Sequence, residues 1–281
     1  MGLVNTPIET YKLNGVNVDV KRDDLVGDGI DYPRWSKIGG IRKILESDYI
    51  DKSKPLVHLS VYGSWTGWVL SGLCKEYGIK FISAYPKTDK FPQVLLERVL
   101  SNGGSLHPMR PNVMSIMLNK LGTQIKENNW QKLPYAFNHP TYINYMGDRM
   151  KKVLEGKHYD NLIVSMGSGV TASGLIRSFL VYKDDWWKYD KNSRKVYSIT
   201  MSRISSTKKI LNENNAGDQN NIILETSPFA FDDMMLDYEV PFDCNEFWDK
   251  KQWYWLEKNI KKLKGEILFW NIGGSYLKSI N

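Results

Sequence analysis

The residues best placed to do chemistry are Gly167, Ser168, Gly169, Val170 and Thr171, which follow the apolar run Leu162 to Met166. A strand, a glycine turn and a helix start make an anion site. The glycines let several backbone N–H groups point inward, and the helix end adds partial positive charge. Ser168 and Thr171 can add hydroxyl donors. Two other readings stay open: an ordinary strand–helix turn, and a dinucleotide fingerprint, which Gly167, Gly169 and Ala172 fit. The acid that fingerprint requires would have to be Asp190, which sits in a polar stretch. A P-loop is excluded, because no Gly-Lys-Ser/Thr follows. His58, His107, His139 and His158 lack metal-ligand spacing. Cys74 and Cys244 suggest neither a disulfide framework nor a metal site.

These residues need elements to hold them. Two strand-like runs, Glu9 to Leu13 and Val16 to Lys21, flank Asn14-Gly15 and predict a hairpin. Strand and helix patterns then alternate. Strands are expected at Leu56 to Tyr62, Lys80 to Tyr85, Leu106 to Met109, Leu162 to Met166, Val196 to Met201, Ile222 to Glu225 and Ile267 to Trp270. Helices are expected at Lys37 to Ser47, Ser64 to Tyr77, Phe91 to Leu100, Val113 to Ile125, Met146 to Leu154, Thr171 to Leu180 and Asn245 to Lys262. In the fourth of these, Met114, Met117, Leu118 and Leu121 should face inward. Such alternation argues for parallel sheet covered by helices.

The 281 residues, 42% hydrophobic and 25% charged, are ordinary for a soluble globular protein. The net charge of +7 is spread along the chain, so it suits an anionic ligand but makes no nucleic-acid stripe. No signal peptide or membrane span is read, and the expected location is the cytosol.

Several segments, in order, make a pattern. Gly-Ser-Gly-Val-Thr-Ala-Ser-Gly after an apolar strand resembles the phosphate loop of the tryptophan-synthase-β-like enzymes, the second fold type of pyridoxal-phosphate (PLP) enzymes. Thr6-Pro7-Ile8 is similar to that family's opening segment. Val20-Lys21-Arg22-Asp23-Asp24-Leu25 and Leu268 to Gly274 resemble its D-cysteine desulfhydrase and aminocyclopropane-carboxylate (ACC) deaminase branch. The resemblance covers nearly the whole chain. It implies an α/β fold of two open twisted parallel-sheet domains, residues 1–52 with 148–281 and residues 53–147, and a cofactor between them.

The resemblance also implies roles. Lys37, in Ser36-Lys37-Ile38-Gly39-Gly40, is the expected Schiff-base lysine and general base. Matching Arg42-Lys43 to the final Arg-Lys pair of the branch's motif would put the family's lysine on Gly40; Lys43 is the alternative to Lys37. Gly167 to Thr171 would hold the cofactor phosphate. Ser64, Trp65 and Thr66 would meet the substrate, with Ser64 acting on it, although Trp65 stands where the family has the asparagine that contacts the cofactor oxygen. Trp65 and Trp68 could narrow the pocket, and His139 could reach the substrate. Tyr238 and Glu239 match a Tyr-Glu pair whose acid lies near the ring nitrogen. The implied function is a PLP-dependent lyase or deaminase, a homodimer acting on a small α-amino acid and releasing ammonia and a keto acid. A β-replacement synthase and a catalytically degenerate member that only binds a ligand or partner remain as alternatives.

Overall fold

The computed structural model describes residues 5–181, 194–200, 202–216 and 219–280. It opens with a hairpin of β1 (Ile8–Leu13) and β2 (Val16–Arg22), antiparallel, with Asn14 and Gly15 both at positive φ in the turn. After α1 (Ile38–Leu45) the chain builds one parallel sheet. Its parts are β3 (Leu56–Leu59), α2 (Thr66–Glu76), β4 (Phe81–Pro86), α3 (Gln93–Ser101), β5 (Ser105–Met109), α4 (Met114–Glu127) and β6 (Gln131–Lys132). The strand order is β5-β4-β3-β6.

The chain then passes through α5 (Pro140–Leu154) to a larger sheet with β7 (Asn161–Val164), α6 (Val170–Val181), β8 (Lys195–Thr200), α7 (Ile204–Glu213), β9 (Ile222–Thr226), α8 (Asp249–Asn259), β10 (Ile267–Asn271) and α9 (Tyr276–Ile280). The order there is β1-β2-β10-β7-β8-β9, parallel except for β1. The last strand, β10, thus lies between β2 and β7. Every residue of β7 and β10 is buried. That is why both read as unbroken apolar runs: helices cover a central parallel strand on both faces.

The strand ends are locked by a buried polar network. Asp23 and Asp24, just after β2, are fully buried. Asp23 accepts hydrogen bonds from Thr6 Oγ1 (2.6 Å), Trp270 Nε1 (2.8 Å) and the Arg149 guanidinium. Asp24 accepts from Arg22 Nε (2.8 Å) and Nη2 (2.7 Å) and from Asn271 Nδ2 (2.8 Å). Two carboxylates can sit inside a protein only when paired this fully. The segment Val20 to Leu25 is therefore a clamp joining β2, β10 and α5.

Some elements differ from expectation. α5 begins at Pro140 rather than Met146, because proline suits a first helical position and the His139 ring accepts from Thr141 N–H (3.2 Å) as a cap. α7 was not foreseen; it buries little beyond Thr207 and Leu211, so its apolar stripe is weak. In α4, Met117 and Leu121 are buried, but Met114 is 40% exposed. Asp190 and Met201 lie outside the described residues. Among the described residues, no helix is long and apolar enough to cross a membrane.

α1 lies so close to α5 that a Cβ at Gly40 would stand 2.5 Å from the Tyr142 ring. That ring is buried, and its hydroxyl is 2.8 Å from Thr171 Oγ1. Gly40→Ala should therefore destabilise the protein by about 1–3 kcal/mol in urea unfolding. Gly122, inside α4, has open space around it. Gly122→Ala should be neutral or stabilise by up to about 1 kcal/mol. Equal effects at the two positions would contradict this packing.

Candidate active site

A cavity of about 600 Å³ opens where the chain leaves β3, β7 and β10. Ligands bind at such carboxyl ends of parallel strands. The loop after β3 contributes Val61 to Thr66, the loop after β7 contributes Ser165 to Gly169, and the end of β10 contributes Ile272 and Gly273. Lys37, at the start of α1, and Trp248 and Asp249, at the start of α8, complete this inner part.

Lys37 is only partly exposed, and its Nζ lies 5.0 Å from the centre of the Trp35 ring. Burial lowers its pKa to about 8, partly opposed by the negative charge of Asp249. The size of that shift matters. At pH 7 an ordinary lysine is unprotonated in roughly one molecule in three thousand, whereas with a pKa of about 8 the share is about one in ten. Lys43 is placed differently. It points outward, with its Nζ 2.8 Å from Glu46, and does not line the cavity. A side chain at Gly40 would collide with Tyr142, so no lysine fits at that position.

The glycine loop faces the same cavity. Gly169 has φ +90°, which an L side chain rarely adopts, and Gly167 has the Trp248 ring 3.2 Å from where its Cβ would be. Among the described residues, no acceptor meets the N–H groups of Gly167, Ser168 or Gly169. They stand at the N-terminus of the twelve-residue α6. Val170 begins that helix and is buried in the core, its N–H 3.4 Å from Ser168 Oγ. Thr171 lines the cavity with its hydroxyl against Tyr142. Behind the loop, Thr207 of α7 reaches the Gly167 carbonyl (3.4 Å).

Ser64, Trp65 and Thr66 also line the cavity. The hydroxyls of Ser64 and Thr66 are 2.6 Å apart, a paired donor set at the start of α2. Trp65 is 3% exposed and wedged between Trp35, Tyr276 and Gly273. Trp68 does not line the cavity; its indole N–H goes to the Asp31 carbonyl (2.9 Å).

Tyr238 and Glu239 are not brought to this site. Tyr238 donates to Glu257 (3.1 Å) and meets the Tyr254 ring edge-on, so it packs on the outer side of α8, and Glu239 is exposed. An acid does enter the cavity from the other end of that helix. Asp249 is 1% exposed and accepts from Ser165 Oγ (2.7 Å) and Gly273 N–H (3.1 Å). Burial raises its pKa to about 7, against these hydrogen bonds. Its sequence signal was slight: one acid at a helix start, inside an aromatic run. His58 lines the cavity stacked on Phe137 (5.9 Å), and burial lowers its pKa to about 4, which keeps it neutral. His139 caps α5 and does not line the cavity.

No family of aligned sequences matches the chain. A glycyl-dTMP PLP-dependent decarboxylase of Pseudomonas phage M6 is 28% identical over 289 residues, covering 96% of this chain and 98% of that protein. The crystal structure of an ACC deaminase homologue superposes with a TM-score of 0.73 at 18% identity, over 96% of this chain and 90% of that one. A hydrogen-sulfide-producing enzyme of Fusobacterium nucleatum gives 0.66 at 17% identity, over 97% and 96%. The chain thus has the tryptophan-synthase-β-like fold of the second fold type of PLP enzymes, the fold its sequence resemblance implied.

The residues present fit that cofactor. Three N–H groups at a helix start, which meet no acceptor among the described residues, suit its phosphate. A partly buried amine of lowered pKa suits its aldehyde. A buried acid that keeps its proton near neutral pH suits a ring nitrogen, and its charge would set how far the ring withdraws electrons.

Asp249 also leaves a mark on folding. Its folded pKa of about 7 lies above the ordinary 3.8. The folded state then binds the proton more tightly than the unfolded one. This favours folding fully below pH 3.8, and the benefit is lost as pH rises through about 7. In cofactor-free protein, the stability of Asp249→Asn relative to the parent should rise steadily across that window, as read by urea unfolding. A difference that stays flat with pH would contradict the buried, titrating acid.

Proposed function

We propose that this chain is a PLP-dependent lyase that removes the carboxyl group from an amino-acid moiety, with Lys37 holding the cofactor. The observation that carries the reading is the meeting, in one cavity, of a partly buried lysine, a glycine loop whose N–H groups meet no acceptor among the described residues, and a buried acid. Decarboxylation is preferred because a relative aligned over nearly its full length is a decarboxylase by name.

When bound, the cofactor supplies an electron sink for the pair left at Cα. The chain's own residues do the rest. The N–H groups of Gly167, Ser168 and Gly169 would hold the phosphate. Asp249 would hold a proton at the ring nitrogen, and Ser165 and Gly273 fix its carboxyl group. Ser64 and Thr66 orient the substrate. The indole of Trp65 and the ring of Trp35 wall the site off from water, which favours loss of a charged carboxylate as neutral CO2. After CO2 leaves, Lys37 Nζ, in its protonated form, would deliver to Cα the proton that takes its place.

A second reading is deamination of a small amino acid. The ACC deaminase homologue's likeness and the paired hydroxyls of Ser64 and Thr66 favour it. The placement of Tyr238 against Glu257, outside the cavity, weighs against it.

The protein mixed with PLP should gain a visible absorption band, and Lys37→Ala should lose it while remaining folded. Incubated with a glycyl-bearing substrate, the loaded protein should release CO2 without ammonia. Ammonia and a keto acid in place of CO2 would select deamination. A wild-type protein that takes up no PLP would overturn both readings.

A further inference from the structure

The cavity extends past the amine, the acid and the glycine loop. Its outer part is lined by residues of the smaller sheet and its helices, among them Met114, Asn119, Lys132 and Tyr135. A small amino acid held at Ser64 and Thr66 would leave this part empty. Tyr135 is 62% exposed, and Phe231, which also lines the cavity, is 43% exposed. Exposed aromatics at a cavity mouth offer flat faces to a ring.

The turn that presents Tyr135 is strained. Ala136 and Phe137 both have positive φ, 51° and 66°. Phe137 is buried, stacked on His58 and edge-on to Trp35. That anchor holds the turn, and Tyr135 is left at the mouth. Strain of this kind persists where the surroundings enforce it, and it clusters at ligand sites. Close by in sequence, Lys132 is exposed and forms no ion pair with any described residue. Asn119 adds an amide donor and acceptor.

We propose that this outer part is a subsite for a pyrimidine nucleotide that carries the amino-acid moiety, with Tyr135 stacking on the base and Lys132 meeting the phosphate. The proposal rests on the lyase reading above and names its substrate class. The phage M6 relative is named for glycyl-dTMP, an amino-acid group on a thymidine nucleotide. The chain's net charge of +7 favours an anionic substrate. One base on one aromatic ring and one phosphate on one lysine need no basic stripe, which the sequence lacks.

Calorimetric titration of the PLP-loaded protein with thymidine monophosphate tests this. Saturable binding is expected, weakened roughly five- to hundredfold by Tyr135→Ala, the range for losing a stacking partner. Lys132→Ala should weaken it too. Thymidine without its phosphate should bind less tightly and be indifferent to Lys132→Ala. Both side chains are exposed, so the variants should fold, which circular dichroism checks. A thymidine-containing single strand gives the second arm. Tighter binding of the strand assigns the subsite to a nucleotide within DNA, and equal or tighter binding of the monophosphate assigns it to a free one. Binding of neither probe, or binding that both substitutions leave unchanged, overturns the subsite. The visible PLP band is recorded in the same samples, so a failed subsite with an intact band leaves the lyase reading standing. Nucleotide binding without a band does the reverse.

Discussion

The site depends on one electrostatic constraint: an amine and a carboxylic acid share a cavity that solvates neither well. Lys37 is pushed down to about 8 and Asp249 up to about 7. Both shifts come from burial, and each moves a group toward its neutral form near physiological pH. A lysine that readily loses its proton can attack an aldehyde, and an acid that readily keeps one can donate to a ring nitrogen. The charges that remain attract one another, which limits the shift at Lys37. Without the enclosure, both would be ordinary surface charges.

The enclosure follows from the topology. β2, β10 and β7 run parallel, so their carboxyl ends emerge together. The chain must turn at each end, and the turns carry the functional residues. Asp23 and Asp24, just past β2, tie its end to that of β10 through Trp270 and Asn271, and to α5 through Arg149. Removing one partner of so buried a network leaves a charge uncompensated, a loss of about 3–5 kcal/mol. The clamp sits apart from the cavity, and it holds the loops that line it. Tyr142 links the helix that starts after Lys37 to the glycine loop, since its ring lies against Gly40 and its hydroxyl meets Thr171.

Much of this was legible in the sequence. Unbroken apolar runs identified β7 and β10 because burial on both faces leaves no polar side. Asn14-Gly15 identified the hairpin because few residues accept two positive φ values in succession. The glycine loop was visible because its backbone does the work, and backbone demands restrict residue choice. Asp249 was not visible. A single acid carries no periodicity, and what sets it apart is the cavity around it, which is assembled from β7, β10 and α8. Tyr238 and Glu239 showed the converse: a matching dipeptide sits near the right helix, but on its outer side. Tyr135 and Lys132 were not singled out, since neither the strained turn nor the depth of the cavity is written in residue types.

The reaction outcome turns on the substrate, but the assignment of Lys37 can be tested without one. Borohydride reduction of the PLP-loaded protein fixes the cofactor to whichever amine holds it, and peptide mass mapping finds the place. The expected result is a single phosphopyridoxyl group on the peptide that contains Lys37, absent from Lys37→Ala. A group found on Lys43, or scattered over surface lysines, would contradict the central assignment.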